Sequence, residues 1–445
     1  MIDAIISLLS NNQTSKTALK HIAIGGFLSI IVRLCGFIKE STVAYFFGIS
    51  EYVDFYVLGL VFVSFFVQPV GGALATLLTQ KYIQTSEYIS QEISKYIYLK
   101  CLLFGIFCIF IILFFQGLLL KFPLIESWFL SRFNNVSLNY IYILLPIGFF
   151  SLMSVINGSI LMATGKFKTY TLLPILVHIS TITFLVFSSK NFIFEALLIG
   201  TLVGFLLELL ISKFCIKELL IKLNFDLIKQ KNREFSKIIK SMPNMILSGT
   251  IMGGCLVVDQ VMALLAGNGA VAMINFGNKV PLGLISLIAI IWTVLYPNFI
   301  KYAAASDYIS LRKYLFRFCI LSFFILLPTC GTLSFFSQEI ISILFEHGAF
   351  INKNTIIVSS IQSLYLLYIP LYVISMICIR VINALENTRI FLFGNILLLI
   401  VNVSLNFYLI PLYGVIGAPL ATLISYIIIT FVWFNITIWL IKSKI

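Results

Sequence analysis

No CxxC pair, no cluster of cysteine with histidine and no acidic cluster occurs in this sequence, and each absence removes a class of function. The cysteines, at positions 35, 101, 108, 215, 255, 319, 330 and 378, are scattered through apolar stretches, and His21, His178 and His347 lie far apart. That pattern supports neither a zinc site nor a disulfide framework. Glu126, Glu339 and Glu346 are isolated, whereas a membrane enzyme gathers acidic or histidine groups at one face; the chain therefore reads as a non-enzyme. Charge is scarce, with 11% of residues charged against 60% apolar, where a soluble domain is about a quarter charged. The net charge of +13 does not point to nucleic acid, because the positive residues sit in short loops between apolar runs. The early apolar run Ile5–Leu9 is too short for a signal peptide and has no small-residue cleavage site after it, so none is expected.

What is present is a succession of apolar segments. At ~20 residues for a ~30 Å hydrocarbon core, twelve read as membrane spans: 19–47, 53–80, 101–120, 138–164, 169–188, 194–214, 242–267, 270–300, 318–336, 357–384, 390–410 and 418–441. The expected fold class is an all-α polytopic membrane protein of two six-helix lobes. Pro69, Pro281 and Pro297 predict kinks in the second and eighth spans. The longest basic connection, Lys213 to Lys240, follows the sixth span and divides the chain into 1–212, a linker 213–241, and 242–445. Within it, IKELLIKLNFDLIKQ reads as a solvated linker helix or a membrane-surface helix. Most of the 30 Lys and Arg residues lie in the tails or after even-numbered spans, with only Lys121, Arg132, Lys190 and Lys353 after odd-numbered ones. The positive-inside rule then places both termini in the cytoplasm. At a shift of 221 residues, ATGKFKTY falls over ALENTRIF and LIGTLV over PLATLI, so Lys168 lies on Arg389 and Thr201 on Thr422. A repeat of six spans keeps its orientation, an arrangement known in transporters.

The charges that stand out within or beside spans are Arg33, Lys39, Asp54 and Lys279. A charge at the centre of a membrane helix costs ~2.5–3.5 kcal/mol by insertion scales, so it usually faces a bundle interior or a wet cavity. Arg33 and Lys39 are six residues apart, which turns their faces about 120° from each other; they suit one wide cavity rather than a narrow stripe. Asp54, at the start of the second span, is near enough to balance them. The alternative is that the basic side chains snorkel to headgroups.

Three stretches carry a resemblance. RLCGFIKESTVAYFFG with YVDFYV, then ISILFEHGAF (341–350), then INALENTRIF with VNVSLNFYLIPLYGVIGAPLATLIS (401–425) resemble, in order, segments of the MurJ/MviN family of lipid-linked glycan flippases, relatives of the Wzx and MATE transporters in the MOP superfamily. The resemblance implies a flippase that moves an undecaprenyl-diphosphate-linked saccharide, lipid II or a related glycan unit, from the cytoplasmic to the outer leaflet by alternating access. It further implies the bacterial cytoplasmic membrane as location, membrane lipids as surroundings and a functional monomer. Arg33, Lys39, Asp54 and Lys279 match the family's charged cavity positions. Arg33 would hold a diphosphate bidentately, and the two lysines would act as point charges. Two departures stand out: VFVSFFVQPVGGA (61–73) carries no charge where relatives have several, and twelve spans are read where MurJ proteins usually have fourteen. Both favour an O-antigen, capsule or teichoic repeat-unit flippase, and a MATE-type cation-coupled drug exporter also stays open. No cofactor is expected beyond sodium as a coupling ion. In some relatives a sodium site joins helices 7, 11 and 12. Asn402, Asn406, Ala418 and Thr422 reproduce its spacing, Asn406 stands where an Asp can occur, and Asp259 is the acid of helix 7. The alternative is an asparagine pair that only hydrogen-bonds between helices.

Overall fold

A computed structural model describes residues 13–84, 136–216, 257–385 and 387–444, together with the isolated positions 133, 247, 250 and 254. The described chain is helical throughout, with no strand among the described residues. Its helices are α1 (Gln13–Phe47), α2 (Glu51–Gln84), α3 (Ile141–Ala163), α4 (Phe167–Leu172), α5 (Ile175–Phe187), α6 (Ile193–Cys215), α7 (Val257–Ala266), α8 (Ala270–Gly277), α9 (Lys279–Ala304), α10 (Tyr308–Phe335), α11 (Ser337–Phe345), α12 (Asn352–Ala384), α13 (Thr388–Tyr413) and α14 (Gly417–Lys442). Among the described residues, eight stretches are long and apolar enough to cross a membrane. The expected third span lies outside the described residues, as do the linker beyond Ile216 and its candidate surface helix; the seventh is described continuously only from Val257.

Backbone groups in hydrocarbon must be satisfied internally, which is why only helices appear here. Pro69 and Pro297 lie inside continuous helices. The eighth span divides at Asn278, three residues before Pro281. Pro281 has no N–H, so the Gly277 carbonyl loses its helical donor. The fifth span also divides, between Leu172 and Ile175, at Pro174.

The described residues gather in two compact units. The first takes the described residues that fall within 1–42, 66–127 and 137–247, the second those within 43–65, 128–136 and 248–445. In the first unit, α3 and α6 run parallel in a fixed register. Tyr140, just before α3, donates to Glu195 Oε1 at 2.5 Å, and Asn157 Nδ2 donates to Ser212 Oγ at 2.8 Å; both pairs are 55 residues apart. Helix α5 packs against α6 at close range. Ser180 donates to the Gly200 carbonyl at 2.8 Å, Thr181 and Thr201 hydroxyls meet at 3.3 Å, and a Cβ on Gly204 would stand 2.6 Å from Val177 Cα. Small residues let membrane helices approach in this way, where packing rather than water exclusion drives association.

The second unit repeats the register. Ser375 on α12 meets Thr430 on α14 at 2.8 Å, again 55 residues apart, and Asn402 on α13 donates to Thr422 at 3.2 Å. Subtracting 221 from Asn402 and Thr422 gives Thr181 and Thr201, the hydroxyl pair of the first unit. The α13–α14 hairpin is tight, since a Cβ on Gly417 would lie 2.5 Å from the Leu409 carbonyl oxygen. At the edge of the membrane segments, Asp307 caps α10 by accepting from the Ser310 N–H at 3.0 Å. Those hydrogen bonds from Ser310 hold its carboxyl below the ordinary range.

Candidate functional site

The first group of expected residues separates into three environments. Arg33 is half-buried on α1, and among the described residues it has no acidic partner. Lys39 and Glu40 are both buried, and Lys39 Nζ lies 2.9 Å from Glu40 Oε1. Lys39 is therefore neutralised by its neighbour in sequence.

Asp54 does not balance Arg33 and Lys39 as the sequence suggested. It is 1% exposed, and its two carboxylate oxygens accept from backbone N–H groups at the start of α8: Oδ2 from Gly269 at 2.5 Å and Oδ1 from Ala272 at 2.7 Å. The physical reason lies in the helix. The first N–H groups of α8 have no intrahelical acceptor, and a carboxylate there is favoured by both hydrogen bonding and the helix dipole. Gly269 adopts a left-handed conformation, with φ of 81°, to open α8. The α1–α2 corner makes further contacts in the same unit. Ala349 N–H donates to the Tyr45 carbonyl at 2.8 Å, and Gly48 and Gly348, both at positive φ, abut Ala349 and Tyr45 in turn. Lys279 is half-buried at the division between α8 and α9. Beside it, Asn278 is buried and its Oδ1 has no hydrogen-bond partner.

The second group does converge. Asp259, on α7 and 1% exposed, is surrounded by side-chain donors. Asn402 Nδ2 and Asn406 Nδ2 donate to Oδ1 at 3.1 and 2.9 Å, and Tyr365 on α12 donates to Oδ2 at 3.3 Å. Thr422 also donates to Oδ2, and Asn406 Nδ2 bridges to Asn402 Oδ1 at 3.2 Å. The spacing of four between Asn402 and Asn406 puts both on one face of α13. Ala418 is buried in the first turn of α14, one turn before Thr422; among the described residues no hydrogen bond links it to Asp259. Tyr365 was not anticipated. Its signal was the row Tyr365, Tyr368 and Tyr372, which shares one face of α12 and stacks ring to ring with Tyr426 of α14.

By donor type the cage offers a carboxylate, two amides, a hydroxyl and a phenol, groups that a hard cation can use. As placed, the amides turn Nδ2 toward Asp259, and Asn406 Oδ1 is buried without a partner. A half-turn of each amide exchanges nitrogen for oxygen and makes the lining all oxygen, the ligand set that hard cations take.

A sequence profile described as lipid II flippase MurJ matches residues 43–441, nearly the whole chain. The chain belongs to the MurJ lipid II flippase family. Members are transporters and not enzymes. Among curated relatives, the probable lipid II flippase MurJ of Buchnera aphidicola (Acyrthosiphon pisum symbiont) is 24% identical over 430 residues, covering 92% of this chain and 81% of that protein. The Rickettsia prowazekii counterpart is 21% identical over 92% of this chain and 80% of its own length. The MurJ of Thermosipho africanus reaches 34% identity, over 121 residues. A solved lipid II flippase MurJ in an inward closed conformation superposes with a TM-score of 0.76 at 23% identity, covering 93% of this chain and 87% of that one. An inward-facing MATE multidrug transporter of the MOP superfamily gives 0.75 at 13% identity, covering 94% and 98%. At these identities the two structures establish the shared fold.

Proposed function

We propose that this MurJ-family protein flips lipid II, an undecaprenyl-diphosphate-linked saccharide, from the cytoplasmic to the outer leaflet of the bacterial cytoplasmic membrane by alternating access, as a monomer with both termini inside. The profile match over residues 43–441 carries this reading, and the charge pattern agrees with it. Arg33 is the half-buried cation without an acidic partner among the described residues, and a guanidinium pairs bidentately with phosphate oxygens. Lys279 adds a point charge, and Lys39 is available to the anion once Glu40 yields it. Asp54, in this reading, clasps the outer ends of the helices rather than touching cargo; outward opening requires its bonds to α8 to break. The Asp259 cage takes sodium as coupling ion, with Asn402, Asn406, Tyr365 and Thr422 as side-chain ligands and the Ala418 carbonyl as a backbone one.

The test is complementation of a strain depleted of its own lipid II flippase. The wild-type chain should restore growth. Arg33→Ala should insert at normal levels and fail, and Arg33→Lys should recover part of the activity, since Lys cannot chelate a diphosphate in the same fork. No rescue by a well-expressed wild-type chain would exclude lipid II and leave the related surface-polysaccharide units. Full rescue by Arg33→Ala would remove Arg33 from the cargo site.

A further inference from the structure

We propose that the first unit carries a cation-binding site of its own, built on Glu208 between α3, α6 and the break that separates α4 from α5, and that it takes an alkali cation. The site is separate from the Asp259 cage and does not depend on the proposed cargo.

Glu208 lies on the packed face of α6. Leu197, Thr201, Gly204 and Ser212 share that face and are buried, while Leu207, Leu210 and Ile211 point outward and are exposed. It stands seven residues before the end of α6 at Cys215, about 10 Å along the axis, too far for a glutamate side chain to reach the helix end. Among the described residues Glu208 has no hydrogen bond and no salt bridge. The nearby cation Lys166 is engaged elsewhere, with Nζ 2.9 Å from the Cys215 carbonyl. Glu208 itself is partly buried, and an uncompensated carboxylate within a membrane span is a functional-site signal.

Two oxygen atoms without partners lie on the facing helix. The 55-residue register of α3 against α6, held at Tyr140–Glu195 and Asn157–Ser212, sets Glu208 level with Met153 and next to Ser154. Ser154 is 3% exposed and Asn157 0%; Ser154 Oγ and Asn157 Oδ1 are both buried with no hydrogen-bond partner. Asn157 is fixed in the seam by its bond to Ser212, one turn from Glu208. In the second unit the position equivalent to Ser154 is Ser375, whose hydroxyl reaches across its seam to Thr430. The first unit has Leu209 there, so the Ser154 oxygen is left open.

The third side is a broken helix. The contacts Thr181–Thr201, Ser180–Gly200 and Val177–Gly204 set the antiparallel register of α5 on α6, and extending it by one turn brings Glu208 opposite Leu173. That is the break itself. Pro174 has no N–H to offer the Tyr170 carbonyl, and Leu176 and Val177 donate only three residues back, to Leu173 and Pro174. The Tyr170 ring covers Gly158, 2.6 Å from where a Cβ would stand, and its phenol is within electrostatic range of Glu208. A carboxylate, an amide oxygen, a hydroxyl and carbonyls released by a broken helix form an acceptor set of the kind by which discontinuous membrane helices coordinate sodium.

The probe is radioactive sodium, measured by equilibrium binding to the purified full chain in detergent. The wild type should bind two ions per chain, Glu208→Gln one, Asp259→Asn one, and the double variant none. Ser154→Ala, which removes one hydroxyl oxygen, should weaken the Glu208 component about tenfold. Glu208→Gln is nearly isosteric, and a monodisperse elution profile checks its folding. Stoichiometry and affinity unchanged in Glu208→Gln would overturn the proposal, as would a wild type that binds one ion lost entirely in Asp259→Asn. One ion lost in Glu208→Gln but kept in Asp259→Asn would uphold this site and overturn the sodium reading of the Asp259 cage.

Discussion

Replacing Asp54 by asparagine tests whether the α1–α2 corner and α8 form one clasp. The carboxylate accepts two backbone N–H bonds, at 2.5 and 2.7 Å, and hydrogen bonds to a charged group are worth ~1.5–3 kcal/mol each. Asparagine keeps one acceptor oxygen, loses the charge at the start of α8, and turns an NH2 toward a backbone donor. The net loss is about 2–3 kcal/mol, or roughly 30- to 150-fold in the balance between clasped and open corner. Hydrogen exchange followed by mass spectrometry reads this directly. The Gly269 and Ala272 amides should exchange faster in the variant by about that factor. They would do so even if the effect stayed local, so the deciding amide is Ala349, which bonds to the Tyr45 carbonyl at 2.8 Å and does not touch Asp54. A cooperative clasp requires Ala349 to lose protection too, and transport to fall as the closed corner becomes harder to reach. Unchanged protection at Ala349, beside faster exchange at Gly269 and Ala272, would refute the clasp and leave Asp54 as a local cap.

Other expectations follow from the same contacts. Gly204→Ala forces a Cβ to within 2.6 Å of Val177 Cα, a main-chain atom, and should lower the thermal unfolding midpoint in detergent by the equivalent of about 1–3 kcal/mol. Gly72→Ala, with nothing within 4 Å of its new Cβ, should be neutral or gain about 0.5–1 kcal/mol. If sodium bound at Asp259 drives transport, flipping in vesicles should depend on sodium, and Asp259→Asn should abolish that dependence; equal activity with and without sodium in both proteins would reduce Asn402 and Asn406 to packing residues. Cysteine labelling of intact cells should reach a cysteine at position 354 and never one at 307 or 230, and external labelling at 230 would reverse the proposed orientation.

The fold was largely legible because its determinants are one-dimensional: apolar length marks each span, and a fixed shift of 221 residues lays one half on the other. The cage was legible for a related reason. Asn402 and Asn406 share a helix face by spacing alone, and Thr422 had already been marked by the repeat. Tyr365 was hidden because the tyrosine row it belongs to marks one face of α12 without saying which hydroxyl meets Asp259. The partners of Asp54 were invisible for a deeper reason, since Gly269 and Ala272 contribute backbone N–H groups, and main-chain donors leave no trace in composition. The missing balance between Asp54 and the cations of α1 has the same origin: a charge read from sequence looks for an opposite charge, while a buried carboxylate is equally well satisfied by a helix N-terminus. Glu208 was passed over because a glutamate close to Lys213 resembles an ordinary helix-end charge. Only the burial of its helix face and the register of α3 and α5 against α6 distinguish it.

The two units keep one scaffold and differ in their polar contents. Both hold their parallel helix pair in a register of 55 residues, yet the hydrogen-bonded pair sits at Asn157–Ser212 in the first unit and at Ser375–Thr430 in the second. The positions equivalent to Asn402 and Thr422 are occupied by Thr181 and Thr201, which can bond to each other but bring no carboxylate. Helix packing is thus maintained by shape, through glycine and other small residues, while the buried polar groups are free to diverge. The divergence has a direction. Arg33 and the Lys39–Glu40 pair belong to the first unit, and Asp259 with its four donors belongs to the second. On the proposed reading, an anionic diphosphate is attracted by the unit that retains an unneutralised arginine, and the coupling cation by the Asp259 carboxylate of the other. Glu208 is the exception, a carboxylate of the first unit with no hydrogen bond or salt bridge among the described residues, away from the position the repeat would have assigned to it.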